Sequence, residues 1–125
     1  MTRDAIATDK LAAPVGPFSL GVRGVGLLFL SGQVAQDPAT GRLIDGDVAR
    51  QTHQILGNIA TALETVGKDL GDMLRADGYL TDISGFAVMG QVYGEYFAEP
   101  YPARTAIGVA ALPLGAAVEI DVVVG

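Results

Sequence analysis

The stretch from Asp47 to Gly67 constrains the fold most, because its apolar residues repeat with a helical period. Residues that fall at spacings of three and four in it are Val48, Thr52, Ile55, Leu56, Ile59, Ala60, Leu63 and Val66. This spacing places them on one face of a helix of about five turns. Asp45 or Asp47 can cap its start, and Gly67 can end it in the left-handed conformation.

Short apolar runs on both sides of this helix predict strands. They are 27–34, 73–83, 104–112 and 117–124. Asp77-Gly78 interrupts the second run and is typical of either a bulge or a turn. The last two runs flank a Pro-Leu-Gly turn, so we expect a hairpin around Leu114.

A second helix is predicted after Ser84, which can cap it. Its inner face would carry Phe86, Met89 or Gly90, Tyr93 and Phe97, and Pro100 and Pro102 forbid its continuation. The order of elements predicts one α+β domain, residues 1–125, with both helices on one face of a mixed sheet. Apolar residues alternate on both sides of the predicted strands, so the second face needs a cover. The simplest candidate is another copy of the chain.

Composition excludes several classes of function. There is no cysteine, and His53 is the single histidine, so thiol chemistry, disulfides and a multi-histidine metal site within one chain are excluded. His53 is assigned no role. A net charge of −6 opposes nucleic acid as a partner. The charged N-terminus and the lack of a long apolar run indicate a cytoplasmic protein with no membrane contact.

Arg104 and Glu119 are the candidate catalytic residues, because each places a charge in a run that otherwise favours a buried strand. An arginine fork can bind both oxygens of a substrate carboxylate, and a buried glutamate can act as a general base. In a plain hairpin the two lie about 16 Å apart along the strands, so they would share a pocket only across a subunit boundary. The simpler alternative is a surface arginine and an exposed carboxylate.

Ser31-Gly32 follows an apolar run and is most often a turn, although its backbone N–H groups can also bind an anion. With this pair included, four stretches resemble the Rid family, the YjgF-type group of reactive intermediate deaminases. They are "APVGPFSLGV" (13–22), "LFLSGQVAQDPATGRLIDGDVARQTHQILGNIATALETVG" (28–67), "YLTDISGFAVMGQVYGEYF" (79–97) and "PARTAIGVAALPLGAAVEI" (102–120).

The resemblance implies a chorismate-mutase-like homotrimer with clefts between subunits. It implies cofactor-free hydrolysis of enamines and imines, such as 2-aminoacrylate, to 2-keto acids and ammonia. Arg104 would hold the substrate carboxylate, Glu119 would position and deprotonate the attacking water, and Ser31 and Gly32 would line the pocket.

Three residues depart from the pattern of the family. Phe18 replaces the usual tyrosine, Gly90 an asparagine, and Ala106 a cysteine that is often present. Each change makes the pocket more apolar or roomier, so we expect all three to border the substrate and a larger imino acid to fit. A pathway-specific deaminase of the 2-aminomuconate or aminoacrylate-peracid type is an alternative. Others are a non-catalytic regulatory protein that binds small carboxylates and an RNA-cleaving activity, which the acidic composition disfavours.

Overall fold

A computed structural model describes residues 2–125 as a six-stranded sheet with two helices. The strands are β1 (Asp4–Ile6), β2 (Gly21–Gly24), β3 (Leu27–Gln33), β4 (Met73–Leu80), β5 (Ala103–Gly108) and β6 (Val118–Val124). The helices are α1 (Val48–Thr65) and α2 (Phe86–Gly94), and short 3₁₀ turns lie at Leu70–Asp72, Ile83–Gly85 and Pro113–Gly115. The strand order is β1-β2-β3-β6-β4-β5, in which only β4 and β5 run parallel. The predicted mixed α+β fold is therefore confirmed.

The expected hairpin between the last two strands is wrong, because β4 lies between β5 and β6. β4 pairs with β5 in parallel and with β6 in antiparallel orientation. The chain leaves β5 at Gly108 and crosses β4 before it enters β6, so a tight turn cannot join them. Leu114 adopts a left-handed conformation (φ 60°) within this crossing.

Helix α1 packs its apolar face on the sheet as its periodicity predicts. Asp47 caps it by accepting a hydrogen bond from the Arg50 N–H, and Gly67 follows its end with φ 73°. Four large apolar side chains of this face are wholly buried: Ile55, Leu56, Ile59 and Leu63. Each contributes roughly 1.5–3 kcal/mol to stability by this burial. The Gln51 side chain also accepts the N–H of Ala117, which ties the first turn of α1 to the start of β6.

Strand β4 continues through Asp77-Gly78, so this pair is neither a bulge nor a turn. A Cβ at position 78 would lie 3.0 Å from Cε and 3.2 Å from Sδ of Met89. Glycine therefore leaves room here for helix α2 to pack closely on the strand. The irregularity of β4 lies instead between Met73 and Arg75.

Helix α2 begins differently from its predicted start. Ser84 does not cap it: Asp82 accepts the Ser84 N–H at the preceding 3₁₀ turn, and Gly85 precedes the helix without a side-chain cap. Phe86 is 43% exposed and is not a core residue, contrary to its predicted place on the inner face. Phe97 lies beyond the end of the helix and packs on Tyr93, with ring centroids 4.3 Å apart.

The sheet has one covered and one open face. Val118, Ile120, Val122 and Val124 of β6 are buried beneath the helices, whereas Glu119 and Asp121 point to the other side. On that side Phe29 and Ile107 remain 44% and 47% exposed. No helix within residues 2–125 has the length and apolar character needed to cross a membrane.

Candidate active site

Arg104 lies on the edge strand β5, on the face that packs against α2. Its guanidinium carbon lies 5.1 Å from the ring centroids of both Phe86 and Tyr93. Contact with two aromatic faces holds a cation in place without neutralising its charge. Within residues 2–125 no carboxylate forms an ion pair with Arg104. The guanidinium therefore keeps its hydrogen-bond donors for a ligand.

A cavity of about 240 Å³ opens beside this guanidinium. Its walls are Gly90, Tyr93, Tyr101, Pro102 and Arg104. A Cβ at position 90 would lie 3.5 Å from Nη1 of Arg104. A glycine there leaves space next to the charge.

Glu119 lies on the open face of the sheet and lines a second cavity of about 440 Å³. The other walls are Val15, Phe18, Ser31, Gly32, Val34, Gln36, Pro113 and Leu114. Phe18 is half exposed there and contributes an apolar wall. Burial raises the pKa of Glu119 above its ordinary value, and the negative charge of Asp121 raises it further. A carboxylate with a raised pKa is a stronger base than an exposed one.

Gly32 sets the position of the Glu119 side chain. β3 carries an irregularity between Leu30 and Gln33, so Ser31 and Gly32 bulge out of the pairing with β6. A Cβ at position 32 would lie 2.8 Å from Oε2 of Glu119, a distance that Cβ atoms essentially never show, so the carboxylate would have to move. Glycine therefore lets the carboxylate lie against the strand here.

Ser31 uses both of its donors within the chain. Its hydroxyl donates to the Ser19 carbonyl oxygen at 2.7 Å, and its backbone N–H donates to the Leu20 carbonyl oxygen at 2.9 Å. These bonds fix the loop before β2 next to the bulge. Ser31 therefore shapes the cavity and does not offer the free N–H that the sequence suggested.

The structure divides the predicted site residues into two groups. Phe18, Ser31 and Gly32 surround Glu119, whereas Gly90 lies with Arg104. Ala106 lies two residues beyond Arg104 on the same face of β5 and packs against the core, outside both cavities.

Arg104 and Glu119 cannot meet within one chain. Arg104 lies opposite Ala76, which lies opposite Val122 of β6. Two strand spacings and three residues along β6 separate the two backbones by about 14 Å. The side chains also point to opposite faces of the sheet. This separation has a different cause from the hairpin spacing expected from the sequence, but the two residues could again share a pocket only if a second copy supplied one of them.

A polar cluster beside Glu119 was not predicted from the sequence. The Tyr79 hydroxyl donates to Oδ2 of Asp121 at 2.8 Å, and Asp77 lies directly opposite Asp121 across the strands. Nη2 of Arg75 lies 3.0 Å from Oδ1 of Asp77. The bond to Asp121 raises the pKa of Tyr79 to about 12. Asp77 and Tyr79 lie two residues apart in the sequence, as do Glu119 and Asp121. This matched spacing was the available signal for the polar cluster, but it identifies the cluster only when the pairing of the strands is known.

Tyr93 and His53 carry two further polar groups outside this cluster. The Tyr93 hydroxyl is buried without a hydrogen-bond partner in residues 2–125, and burial raises its pKa. His53 lies on the surface, where Nδ1 is 2.8 Å from the Tyr96 hydroxyl and Nε2 is 3.5 Å from Glu95. Residues 2–125 contain no group of three potential ligands placed to bind a metal ion.

The fold and the two cavities define an α+β domain of the YjgF type. The sequence profile described as Endoribonuclease L-PSP matches residues 8–125. A 2-iminobutanoate/2-iminopropanoate deaminase from Bos taurus is 40% identical over 123 residues, which cover 98% of this chain and 90% of that protein. The crystal structure of RidA from Psychrobacter sp. PAMC 21119 matches with a TM-score of 0.92 and 41% identity, and 98% of each chain is covered. Escherichia coli TdcF with bound serine matches with a TM-score of 0.89 and 31% identity, and 97% of each chain is covered.

The chain therefore belongs to the Endoribonuclease L-PSP family, which includes the Rid proteins. The family predicted from the sequence motifs is confirmed.

Proposed function

We propose that this protein hydrolyses imines and enamines of 2-amino acids to 2-keto acids and ammonia. The observation that carries this proposal is the unpaired guanidinium of Arg104, which two aromatic rings hold at the edge of a small cavity. A planar cation in such a place is suited to a substrate carboxylate, because its fork binds both oxygens. The names of the deaminases among the relatives support the same substrate class.

The reaction needs one base and no cofactor. Water adds to the carbon of the C=N bond while Glu119 accepts a proton from that water and passes it to the nitrogen, which gives a carbinolamine. Glu119 then accepts the proton of the carbinolamine hydroxyl, the C–N bond breaks, and the nitrogen takes that proton and leaves as ammonia while the oxygen becomes the carbonyl oxygen of the keto acid. The raised pKa of Glu119 suits it to accept the proton and then return it to the leaving nitrogen.

The site is complete only when a second copy brings its Arg104 cavity against the Glu119 cavity of the first. We propose that a homotrimer does this, with the open faces of the sheets turned inward. The exposed Phe29 and Ile107 on that face are consistent with a buried interface. Each site would then use Arg104 from one subunit and Glu119 from its neighbour.

The walls of the two cavities favour a substrate with an apolar side chain. Val15, Phe18 and Leu114 face Glu119, and Gly90 leaves space beside Arg104. We therefore propose that imines of larger apolar amino acids are accepted in addition to 2-aminoacrylate. TdcF with bound serine is a relative that holds a molecule with the same carboxylate group.

The test is release of ammonia and keto acid from imines that an amino-acid oxidase generates in situ. Arg104→Ala should lower kcat/KM by about 10- to 100-fold, the value of a charge-assisted bond of about 1.5–3 kcal/mol. Arg104→Lys is the matched control, because it keeps the charge without the fork and should lose less. Equal activity of wild type and Arg104→Ala would refute the carboxylate-binding role. Binding of 2-ketobutyrate without turnover of any imine would favour a regulatory protein instead.

A further inference from the structure

The carboxylate of Glu119 has a fixed negative neighbour on its own strand. Asp121 is two residues further along β6 and points to the same open face, so the two Cα atoms lie about 7 Å apart. Tyr79 lies directly opposite Glu119 on β4, and its hydroxyl reaches diagonally to Oδ2 of Asp121 at 2.8 Å. One phenol therefore spans both acidic positions and holds Asp121 in place.

The hydrogen bond from Tyr79 favours the ionised form of Asp121. A phenol whose pKa is about 12 remains a donor throughout the range in which carboxylates titrate. Other groups shift the pKa of Asp121, some upward and some downward. Burial and the Asp77 carboxyl raise its pKa, whereas the Tyr79 bond and the charge of Arg75 lower it.

Within the same chain, the remaining described elements around Asp121 supply no other charge. On this face β3 presents the neutral residues Phe29 and Ser31, and β5 presents Thr105 and Ile107. The Thr105 hydroxyl accepts a hydrogen bond from Arg75 at 3.0 Å. Arg75 is thus directed to Asp77 and Thr105, and none of the described residues 2–125 forms a salt bridge with Asp121 or Glu119.

We propose that Asp121, held by Tyr79, is a positioning residue that raises the pH at which Glu119 becomes available as a base. The inference rests on the proposed function, because it assigns Glu119 the role of the base. Asp121 does not touch the reacting atoms and acts through its charge alone. In the ionised form it opposes loss of the proton from Glu119, and in the neutral form it does not.

The experiment compares Asp121→Asn, Tyr79→Phe and Glu64→Gln in the assembled protein. Glu64 is exposed on α1, so its substitution changes the net charge as Asp121→Asn does without altering the site. The ¹³C carboxyl resonance of Glu119, assigned with Glu119→Gln, is followed by NMR over a pH titration. The acid limb of kcat/KM is measured in parallel.

Asp121→Asn should move the Glu119 midpoint and the acid limb to lower pH, while Glu64→Gln leaves both unchanged. Tyr79→Phe should shift both in the same direction but less. Without the bond from Tyr79, Asp121 keeps its proton to higher pH and therefore places less negative charge beside Glu119 while Glu119 titrates. Tyr79→Phe also serves as the test if Asp121→Asn does not fold. A Glu119 midpoint that moves equally in Asp121→Asn and Glu64→Gln, or in neither, would overturn the proposal. A wild type without imine hydrolysis would refute only the function, because the NMR titration does not depend on turnover.

Discussion

Two impaired variants should restore activity when they are mixed, because Arg104 and Glu119 lie on opposite faces of the sheet. Arg104→Ala subunits keep an intact Glu119, and Glu119→Gln subunits keep an intact Arg104. A contact between an intact Arg104 and an intact Glu119 forms only where one variant lies next to the other in the correct order. In a randomly mixed closed ring, the probability that a given site combines an intact Arg104 with an intact Glu119 is one half times one half. About a quarter of the sites are therefore wild type.

The assay unfolds the two variants together at equal concentration, refolds them and measures keto-acid release per subunit. Each variant refolded alone is the control, and both should retain no more than about a tenth of the wild-type rate, below the quarter expected of the mixture. The mixture should reach about a quarter of the wild-type rate, because a closed ring has as many sites as subunits. A mixture no more active than its components, with mixed assemblies verified by native mass spectrometry, would refute a site shared between copies.

Two other substitutions test the close contacts of the site. Gly32→Ala should lower kcat by about 100-fold, because its Cβ would displace the Glu119 carboxylate by around an ångström. Its control is Gly24→Ala, whose Cβ meets no atom within 4 Å. A full-rate Gly32→Ala enzyme would contradict the role of the bulge. Tyr93→Phe should raise the free energy of unfolding by about 1 kcal/mol, because it removes a buried hydroxyl that lacks a partner. Thermal unfolding measures this effect, and a lower Tm would mean that the hydroxyl has a partner.

The sequence predicted α1 well because the features that specify this helix lie within its own segment of the chain. Its apolar period, the cap at Asp47 and the left-handed Gly67 are all local features, and all three are present in the structure. β3 and β6 were also found, since each is an apolar run of strand length. The short strands β1 and β2 were missed because their residues, such as Asp4, Arg23 and Gly24, do not form an apolar run.

Strand pairing could not be read from local pattern. The Pro-Leu-Gly turn suggested a hairpin, but the insertion of β4 between β5 and β6 depends on the packing of distant segments. The same limit hid the Tyr79–Asp121 contact, which joins residues 42 positions apart. Arg104 and Glu119 were recognisable as candidates because charges are rare in such apolar runs. Their placement on opposite faces required the sheet.

Oxidation of Met89 would disturb the site, because this side chain packs closely on Gly78. The thioether is almost wholly buried and fills the space that a side chain at position 78 would need. Conversion to a sulfoxide would add a polar oxygen where the packing leaves little room. Helix α2 would have to move away from β4, and with it Phe86 and Tyr93, the two rings on either side of Arg104. An oxidant could therefore inactivate the protein through a sulfur atom that takes no part in its chemistry.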